Sequence, residues 1–397
     1  MAASSYPRHE GDQAAIFLRE LAAHLGQAGH RIDVLAPHDA RVRDDLHDAG
    51  VRLHRFRYPH WQRRLAYGSG ILPNLRAHPS LWLQLPGFLA ALEWRLAGLA
   101  RSLRPDLIHA HWILPQGLAA VRIGQRVGLP VLVSAHGGDA FALQGGMLAS
   151  LKRRVLRGAT AWTSNTAATA EASGAGGAVP APEIVPMGVR VAHFQSGDAE
   201  RVREASAERR RIILFVGRLV EKKGLHVLLA ALFALPAKLR EGACLWIAGD
   251  GAERARLEAL CHSQGATGQV RFLGAIENAE LRHYYAAADL FVAPSIADSA
   301  RDTEGQGVVL LEAAAAGRPI LASDAGGIPE TLAHAHSYAL VRSGDVAAWS
   351  RALQRFLEHG EPAWAPGPGD HERFIARYDW PRVAARFGDL YARMSTT

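Results

Sequence analysis

Two carboxylates with seven residues between them, Glu304 and Glu312, bracket the segment Glu304-Gly-Gln-Gly-Val-Val-Leu-Leu-Glu312, a glycine-punctuated approach to an apolar helix. Gly305 and Gly307 allow the backbone to come close to a ligand, and the free N–H groups around Gln306, Gly307 and Val308 can cradle an anion, most naturally a phosphate. Glu304 then lies outside the helix, beside whatever group the phosphate carries. Glu312 lies about 6 to 8 Å farther along at 1.5 Å per residue, a reach suited to a ribose. One helix would hold a nucleotide sugar end to end. The plainer alternative is that Glu304 is an N-terminal helix carboxylate and Glu312 a solvated one.

A second constellation, Gly217-Arg218-Leu-Val-Glu-Lys-Lys223-Gly224, follows an apolar run that reads as a strand and precedes a helix. Ligands of open α/β sheets sit at the carboxyl ends of strands, so Arg218 and Lys223 are expected to face the crevice, where two cations neutralise a diphosphate, and Lys222 to face water. Ordinary surface charge is the rival explanation. Gly249 and Gly251, after the run 244–248, offer a turn without β-carbons. The segment 273–276 ends at Ile276, where backbone groups could read the edge of a base. In the first half, His136-Gly-Gly-Asp139 follows the run 131–134. His136 would donate a hydrogen bond to a sugar hydroxyl or the reacting centre, and Asp139 would orient it or bind a hydroxyl. His109-Ala-His111 ends the preceding run, and two histidines on one strand face suggest a metal pair. No third ligand accompanies them, so a site-lining or buried polar role is favoured.

The elements that must position these groups are short apolar or β-branched runs alternating with amphipathic helical stretches, the signature of parallel α/β layers. Strands are expected at 31–36, 51–56, 107–110, 131–134, 161–164 and 184–185, and again at 212–216, 244–248, 270–272, 290–293, 320–322 and 338–341. The spacing predicts helices at 13–28, 117–127, 148–157 and 380–394. Two doubly wound domains follow, 1–190 and 191–377, with a last helix over 378–397 that could pack back on the first. The boundary is expected between Met187 and Arg211, in a charged stretch with no strand of its own, and the Pro- and Gly-rich 362–369 would carry the chain back.

The chain has 397 residues, 49% hydrophobic and 21% charged, which excludes disordered, collagenous and coiled-coil classes. Cys244 and Cys261 are too few for a disulfide framework or a four-sulfur zinc site, and with no leader visible a cytoplasmic protein is expected. The longest uncharged stretch, 77–92, is broken by Pro79 and Pro86 and falls short of the about 20 residues that span a bilayer. Net charge is +7, and the excess clusters between Arg41 and Arg104, with eleven arginines against four acids. Trp61, Trp82, Phe88 and Trp94 are interleaved there, as on a surface that rests on anionic lipid at the inner membrane face. A solvated arginine-rich surface is the alternative. Nucleic acid is not supported, since no helix-turn-helix, zinc-finger or RNA-binding signature appears.

Taken together these segments resemble the retaining glycosyltransferases of family 4, the group 1 transferases of GT-B fold. The resemblance spans nearly the whole chain, from Ser5-Tyr-Pro-Arg-His-Glu-Gly11-Asp12 and Gly29-His30 through His109-Ala-His111-Trp112 and His136 to Asp139. It continues at Met187-Gly188-Val189, Gly217 to Gly224, Glu304 to Glu312, Gly326-Gly327-Ile328-Pro329-Glu330 and Trp380. It implies a nucleotide-sugar donor with Arg218 and Lys223 on its diphosphate, Glu312 on ribose and Glu304 on the sugar. By the same token His136 lines the reaction centre, and Gly11 with Asp12 and His111 forms a loop near phosphate and acceptor. No cofactor or metal ion is implied, and two cations with a helix N-terminus can stabilise a leaving diphosphate in place of magnesium. Glu304 as a covalent nucleophile is a rival mechanism.

There are two departures. Only Met1 to Ser4 precede the Ser-Tyr-Pro segment where the family usually has a full strand, so the first strand is expected to be absent or truncated. Gln306 stands where the family often has an aromatic residue. The expected reaction is transfer of a sugar to a hydroxyl acceptor in glycan, polysaccharide or glycolipid synthesis. A nucleotide-sugar epimerase or hydrolase of the same fold, and a non-catalytic sugar-binding protein, are the alternatives.

Overall fold

Short runs of Ile, Val, Leu and Ala, too brief for helices and flanked by Gly or Pro, make buried parallel strands in both halves of the chain. The computed structural model describes residues 1–43, 50–59, 64–68, 70–142, 144–175, 177, 179–335, 337–359 and 370–395. It divides into two units, one formed by Met1–Met187 with Trp380–Thr397 and the other by Gly188–Asp379.

In the first unit β1 (Ile32–Pro37) and β2 (Val51–Phe56) pair in parallel, as do β3 (Ile108–His111), β4 (Val131–Ala135), β5 (Ala161–Ser164) and β6 (Glu183–Ile184) in that order. Between β1 and β3 lies Ala2, which bridges Leu35 on one side and Ala110 on the other. Its N–H donates to the His109 carbonyl at 2.8 Å, and Leu35 N–H donates to the Met1 carbonyl at 2.8 Å. The first strand is therefore present in shortened form, one bridge long, and joins the two groups of strands into one series. The helix Trp380–Ser395 belongs to this unit: Tyr391 on it is hydrogen-bonded to His109, and Arg386 donates to the Ile184 carbonyl.

The longest helix among the described residues, Leu85–Leu103, begins in the uncharged stretch 77–92, where the sequence announced no helix. Phe88, Leu92, Leu96 and Ala100 recur every fourth residue and form its buried stripe, and Pro86 stands in the first turn, where its missing N–H costs nothing. Among the described residues no helix is long and apolar enough to cross a membrane.

The second unit is a six-stranded parallel sheet in the order β12-β11-β10-β7-β8-β9, from β7 (Arg211–Val216), β8 (Ala243–Ala248), β9 (Val270–Gly274), β10 (Leu290–Ala293), β11 (Ile320–Ser323) and β12 (Tyr338–Val341). Alternate strand residues feed two cores, one around Trp246, Tyr285 and Phe291 and the other around Phe215, Leu228 and Trp349. The charged stretch after Met187 forms the helices Val191–Gln195 and Ala199–Ser206, and Asp198 caps the second by accepting from Arg201 N–H. The expected linker 362–369 lies outside the described residues.

At the carboxyl ends of β7, β8 and β9 the loops lie one on another. Gly217 N–H donates to Ala248, Gly249 N–H to Gly274 at 2.7 Å, and Leu219 N–H to Asp250 at 2.9 Å. Gly249 has φ +143°, and a Cβ there would lie 1.9 Å from the Gly217 carbonyl oxygen; at Gly251 it would lie 2.4 Å from that of Leu219. What the missing β-carbons admit is thus the backbone of the neighbouring loop, which revises the expectation that they serve a ligand directly. Gly249→Ala must push the Gly217 loop away, so unfolding by denaturant is expected to show a loss of about 1–3 kcal/mol, and an unchanged midpoint would contradict this stacking.

Candidate functional site

In the second unit β7 runs through the loop Gly217–Val220 into the single turn Glu221–Lys223. Gly224, in the left-handed region, lets this turn press against the Pro294 carbonyl after β10, since a Cβ would lie 1.9 Å from that oxygen. The contact delivers Lys223, whose Nζ donates a short hydrogen bond to Glu304 Oε2. Phe215, Lys223, Ser295, Glu304, Gly307 and Leu310 line one small recess. The backbone of Glu304 is fixed from the opposite side, where its carbonyl accepts from Gly327 N–H at 2.9 Å and lies so close to Gly326 that a Cβ would meet it at 2.1 Å.

Burial alone would raise the Glu304 carboxyl. The charges of Lys223, Lys222 and Arg218 together with the Lys223 hydrogen bond overcome it and hold the group down at about 2. Glu304 is therefore a fixed anion with three cations about it. Lys222 does not face water as expected: its ammonium donates to Asp302 at 3.0 Å and to the Thr303 carbonyl at 3.3 Å, with 15% of the side chain exposed. Arg218 is exposed on the loop above.

Gly305, Gln306 and Gly307 are buried, and Gly307, at φ +75°, turns the chain into the helix Val308–Ala315. The Gln306 carbonyl accepts from Thr331 Oγ1 at 2.9 Å, so the loop before the helix is tied to the helix after β11. Glu312 lies on this helix, and its Oε2 accepts from Tyr285 Oη at 2.7 Å. Burial raises its carboxyl to about 7, against the hydrogen bond from Tyr285 and the charge of Arg190. The two glutamates thus meet opposite electrostatics, one permanently ionised and one poised at neutrality. Ile276 follows β9 half-buried against the core around Tyr285.

In the first unit the histidines gather at the ends of β3 and β4. His136 Nε2 and His111 Nδ1 share a hydrogen bond of 3.1 Å, with the rings stacked, and Phe17 and Trp112 enclose His136 at 5.0 and 5.3 Å between centroids. His109 is bonded to Tyr391 Oη and Ser134 Oγ, both at 2.7 Å. Burial lowers His136 to about 3 and His109 and His111 well below the ordinary imidazole value, so all three are neutral at pH 7. Asp139 accepts Ile113 N–H at 2.8 Å and His136 N–H at 3.0 Å. Both oxygens accept from backbone, so it fixes the loop carrying His136. Gly11 is exposed at φ +81°. Asp12 is buried and takes two bonds from the Arg8 guanidinium at 2.6 and 3.0 Å, which shapes the loop. Among the described residues no three His, Cys, Asp or Glu side chains are grouped to hold a metal ion.

Tyr285, Asp302, Ser295 and the clamp at Gly326 and Gly327 carried no role in the sequence reading. Only the glycine pair had a signal, its place in the motif ending at Glu330. Tyr285 sits among aromatic residues of an apolar helix face, and nothing in its spacing announces a partner 27 positions away.

The model of the glycosyl transferases group 1 matches residues 197–367, and that of the glycosyl transferase 4-like domain matches 14–190. A GDP-mannose-dependent alpha-(1-6)-phosphatidylinositol monomannoside mannosyltransferase of Mycobacterium tuberculosis is 30% identical over 321 residues, covering 79% of this chain and 82% of that one. The putative teichuronic acid biosynthesis glycosyltransferase TuaC of Bacillus subtilis is 27% identical over 99% of this chain and 98% of its own. Among solved structures, sucrose-phosphate synthase of Thermosynechococcus elongatus superposes with a TM-score of 0.77 at 25% identity, covering 96% of this chain and 92% of that one. The chain belongs to the group 1 glycosyltransferases of family 4 type, with two Rossmann-like domains of GT-B fold. It is an enzyme that transfers a sugar from a nucleotide-sugar donor to a hydroxyl acceptor, and the epimerase, hydrolase and binding-protein alternatives are not favoured.

The buried histidines carry a pH consequence for stability. Unfolded imidazoles take up protons below about 6.5, whereas the folded ones do not until far lower pH, near 3 for His136. Their contribution is intact above about pH 6.5 and is lost as pH falls, by up to about 1.4 kcal/mol per unit for each histidine. Denaturation midpoints between pH 7 and pH 5 should fall accordingly, and His136→Phe should flatten part of that slope.

Proposed function

We propose that the recess around Lys223, Glu304 and Gly307 is the donor site, with Lys223 and Arg218 on the diphosphate, Glu304 beside the transferred sugar and Glu312 on the ribose. The single observation behind this reading is that one lysine, one carboxylate and a glycine-led helix start line the same recess, although they come from segments about 80 residues apart. A carboxylate held at about 2 and bonded to an ammonium is a weak base and a weak nucleophile, which favours an electrostatic role over a covalent one. As the anomeric C–O bond breaks, positive charge grows on the sugar and negative charge on the diphosphate. Glu304 stabilises the first, Lys223 and Arg218 the second. The acceptor hydroxyl then bonds to the anomeric carbon on the face the diphosphate leaves, and its proton passes to the departing phosphate oxygen. His136, neutral at pH 7, acts as a hydrogen-bonding group and not as a proton-donating imidazolium. Gln306 has its side chain buried, so shape and backbone define that side of the pocket.

We further propose a lipid-linked or glycan acceptor reached at an anionic membrane surface. Trp82, Leu83 and Trp94 project from Pro79–Leu103 with 44%, 72% and 76% exposure, and Arg101 and Arg104 are exposed at the end of the same helix. The patch is smaller than its composition suggests, because Arg52 pairs with Asp33, Arg64 with Asp39, Arg55 bonds Tyr67 and the Pro7 carbonyl, and Phe88 is in the core. Trp61 and Arg63 lie outside the described residues. The relative from Mycobacterium tuberculosis is by its description a phosphatidylinositol monomannoside mannosyltransferase, which accords with a lipid acceptor.

Screening nucleotide sugars for thermal stabilisation identifies the donor. Lys223→Ala is expected to remove that stabilisation and to lower kcat/KM about 10²- to 10³-fold; equal stabilisation in wild type and variant would refute the donor site. For the surface, co-sedimentation with vesicles containing phosphatidylglycerol should fall at least several-fold in the Trp82→Ala/Trp94→Ala double variant, with no change in turnover of a soluble acceptor.

A further inference from the structure

We infer that Tyr285 is a positioning residue for Glu312, its hydroxyl engaging Oε2 so that Oε1 is presented to a hydroxyl of the donor's ribose. The inference rests on the reading of Glu312 as the ribose carboxylate. Tyr285, on the helix Asn278–Ala287, is fully buried, and its ring is wedged between Phe194 and Phe291 at 5.5 and 5.4 Å. The phenol therefore has one direction to point. It meets Glu312 Oε2 at 2.7 Å, with the Val309 carbonyl a distant second at 3.4 Å. A phenol so buried beside a carboxylate is held well above its ordinary range and stays protonated, hence a donor, at every working pH.

A carboxylate on a helix surface ordinarily samples several rotamers, each presenting its oxygens differently. Tying one oxygen to a ring that cannot move selects one of them before the ligand arrives, which is how preorganisation raises affinity. The same bond favours the ionised form of Glu312. That form accepts a ribose O–H; the protonated one loses an acceptor and presents a competing donor. The titratable and charged groups acting on Glu312 are Tyr285 from the helix Asn278–Ala287 and Arg190 from the turn before Val191–Gln195, and both lower its carboxyl against burial. With the carboxyl at about 7, donor affinity in the wild type weakens as pH falls through neutrality. Without the phenol hydroxyl the midpoint moves upward.

The test is the donor KM and kcat of Tyr285→Phe from pH 6 to 9, set beside wild type and Glu312→Gln. Expected for Tyr285→Phe, for about one pH unit of midpoint shift, is a donor KM raised about threefold at pH 7.5 and about ninefold at pH 6, kcat within about twofold, and recovery toward wild type at pH 9. In Glu312→Gln donor KM should be flat with pH, and adding Tyr285→Phe should change it little. A Tyr285→Phe defect that keeps its full size in the Glu312→Gln background marks a merely structural tyrosine and overturns the inference. If Glu312→Gln and Glu312→Ala leave donor KM unchanged, the ribose assignment itself fails, a result separable from the first. Tyr285→Met, which also lacks the hydroxyl, is the second variant should the phenylalanine one prove insoluble, and the same pH-dependent defect is expected of it.

Discussion

A carboxylate withdrawn from water survives ionised only if positive charge stands beside it, and Glu304 survives because Lys223, Lys222 and Arg218 do. This is the constraint around which the second unit is arranged. Lys223 reaches Glu304 only because the turn after β7 presses on the strand after it in the sheet, at Gly224 and Pro294. Glu304 is presented to Lys223 only because Gly326 and Gly327 hold its backbone from the side of β11. The sheet order places β10 beside β7 and β11 beside β10, so loops distant in sequence are gathered at one end of the sheet by topology. Lys222 and Asp302 form a second pair beside the first, which fixes the loop.

The same carboxylate chemistry has opposite outcomes eight residues later. Glu312 has a neutral phenol in place of an ammonium, and the charge of Arg190 in place of two lysines and Arg218, so desolvation prevails and its carboxyl rises to about 7. The helix between them is apolar elsewhere, with Leu310, Leu311, Ala313 and Ala314 buried, so neither carboxylate can relax by swinging away with its backbone.

How much of this could be read from the chain itself varies with the kind of interaction. The strands were legible because each is a short apolar run bounded by turn residues: Val51–Phe56, Ala161–Ser164, Leu290–Ala293 and Tyr338–Val341 match residue for residue, and the others differ by one or two at the ends. The helix Leu85–Leu103 was not, because few charges interrupt its early turns and a stretch of that kind advertises lipid or core without advertising helix. Of the site, Glu304, Lys223 and Gly307 were legible since a glycine-led helix after a strand has few other uses. The partners Asp302 for Lys222 and Tyr285 for Glu312 were not, because pairing across about 30 to 80 positions is written in sheet order and not in local spacing. Gly249 and Gly251 stood out for the right feature, a missing β-carbon, but the neighbour it admits is protein backbone.

The first unit solves a different problem, keeping imidazoles neutral. His109 satisfies both ring nitrogens, through Tyr391 and Ser134, whereas His111 and His136 share one bond and leave His111 Nε2 and His136 Nδ1 buried without a partner among the described residues. One member of that pair donates and the other accepts, so the pair has two tautomeric forms of equal proton count. In one, His136 keeps a free N–H; in the other, a free lone pair. Nδ1 of His136 can therefore be a donor or an acceptor without any change of charge. Asp139, by spending both oxygens on the backbone of Ile113 and His136, keeps its negative charge away from the rings and leaves that choice open. A carboxylate bonded directly to His136 would instead fix one tautomer and raise the imidazole toward protonation, ending the neutrality on which the arrangement depends.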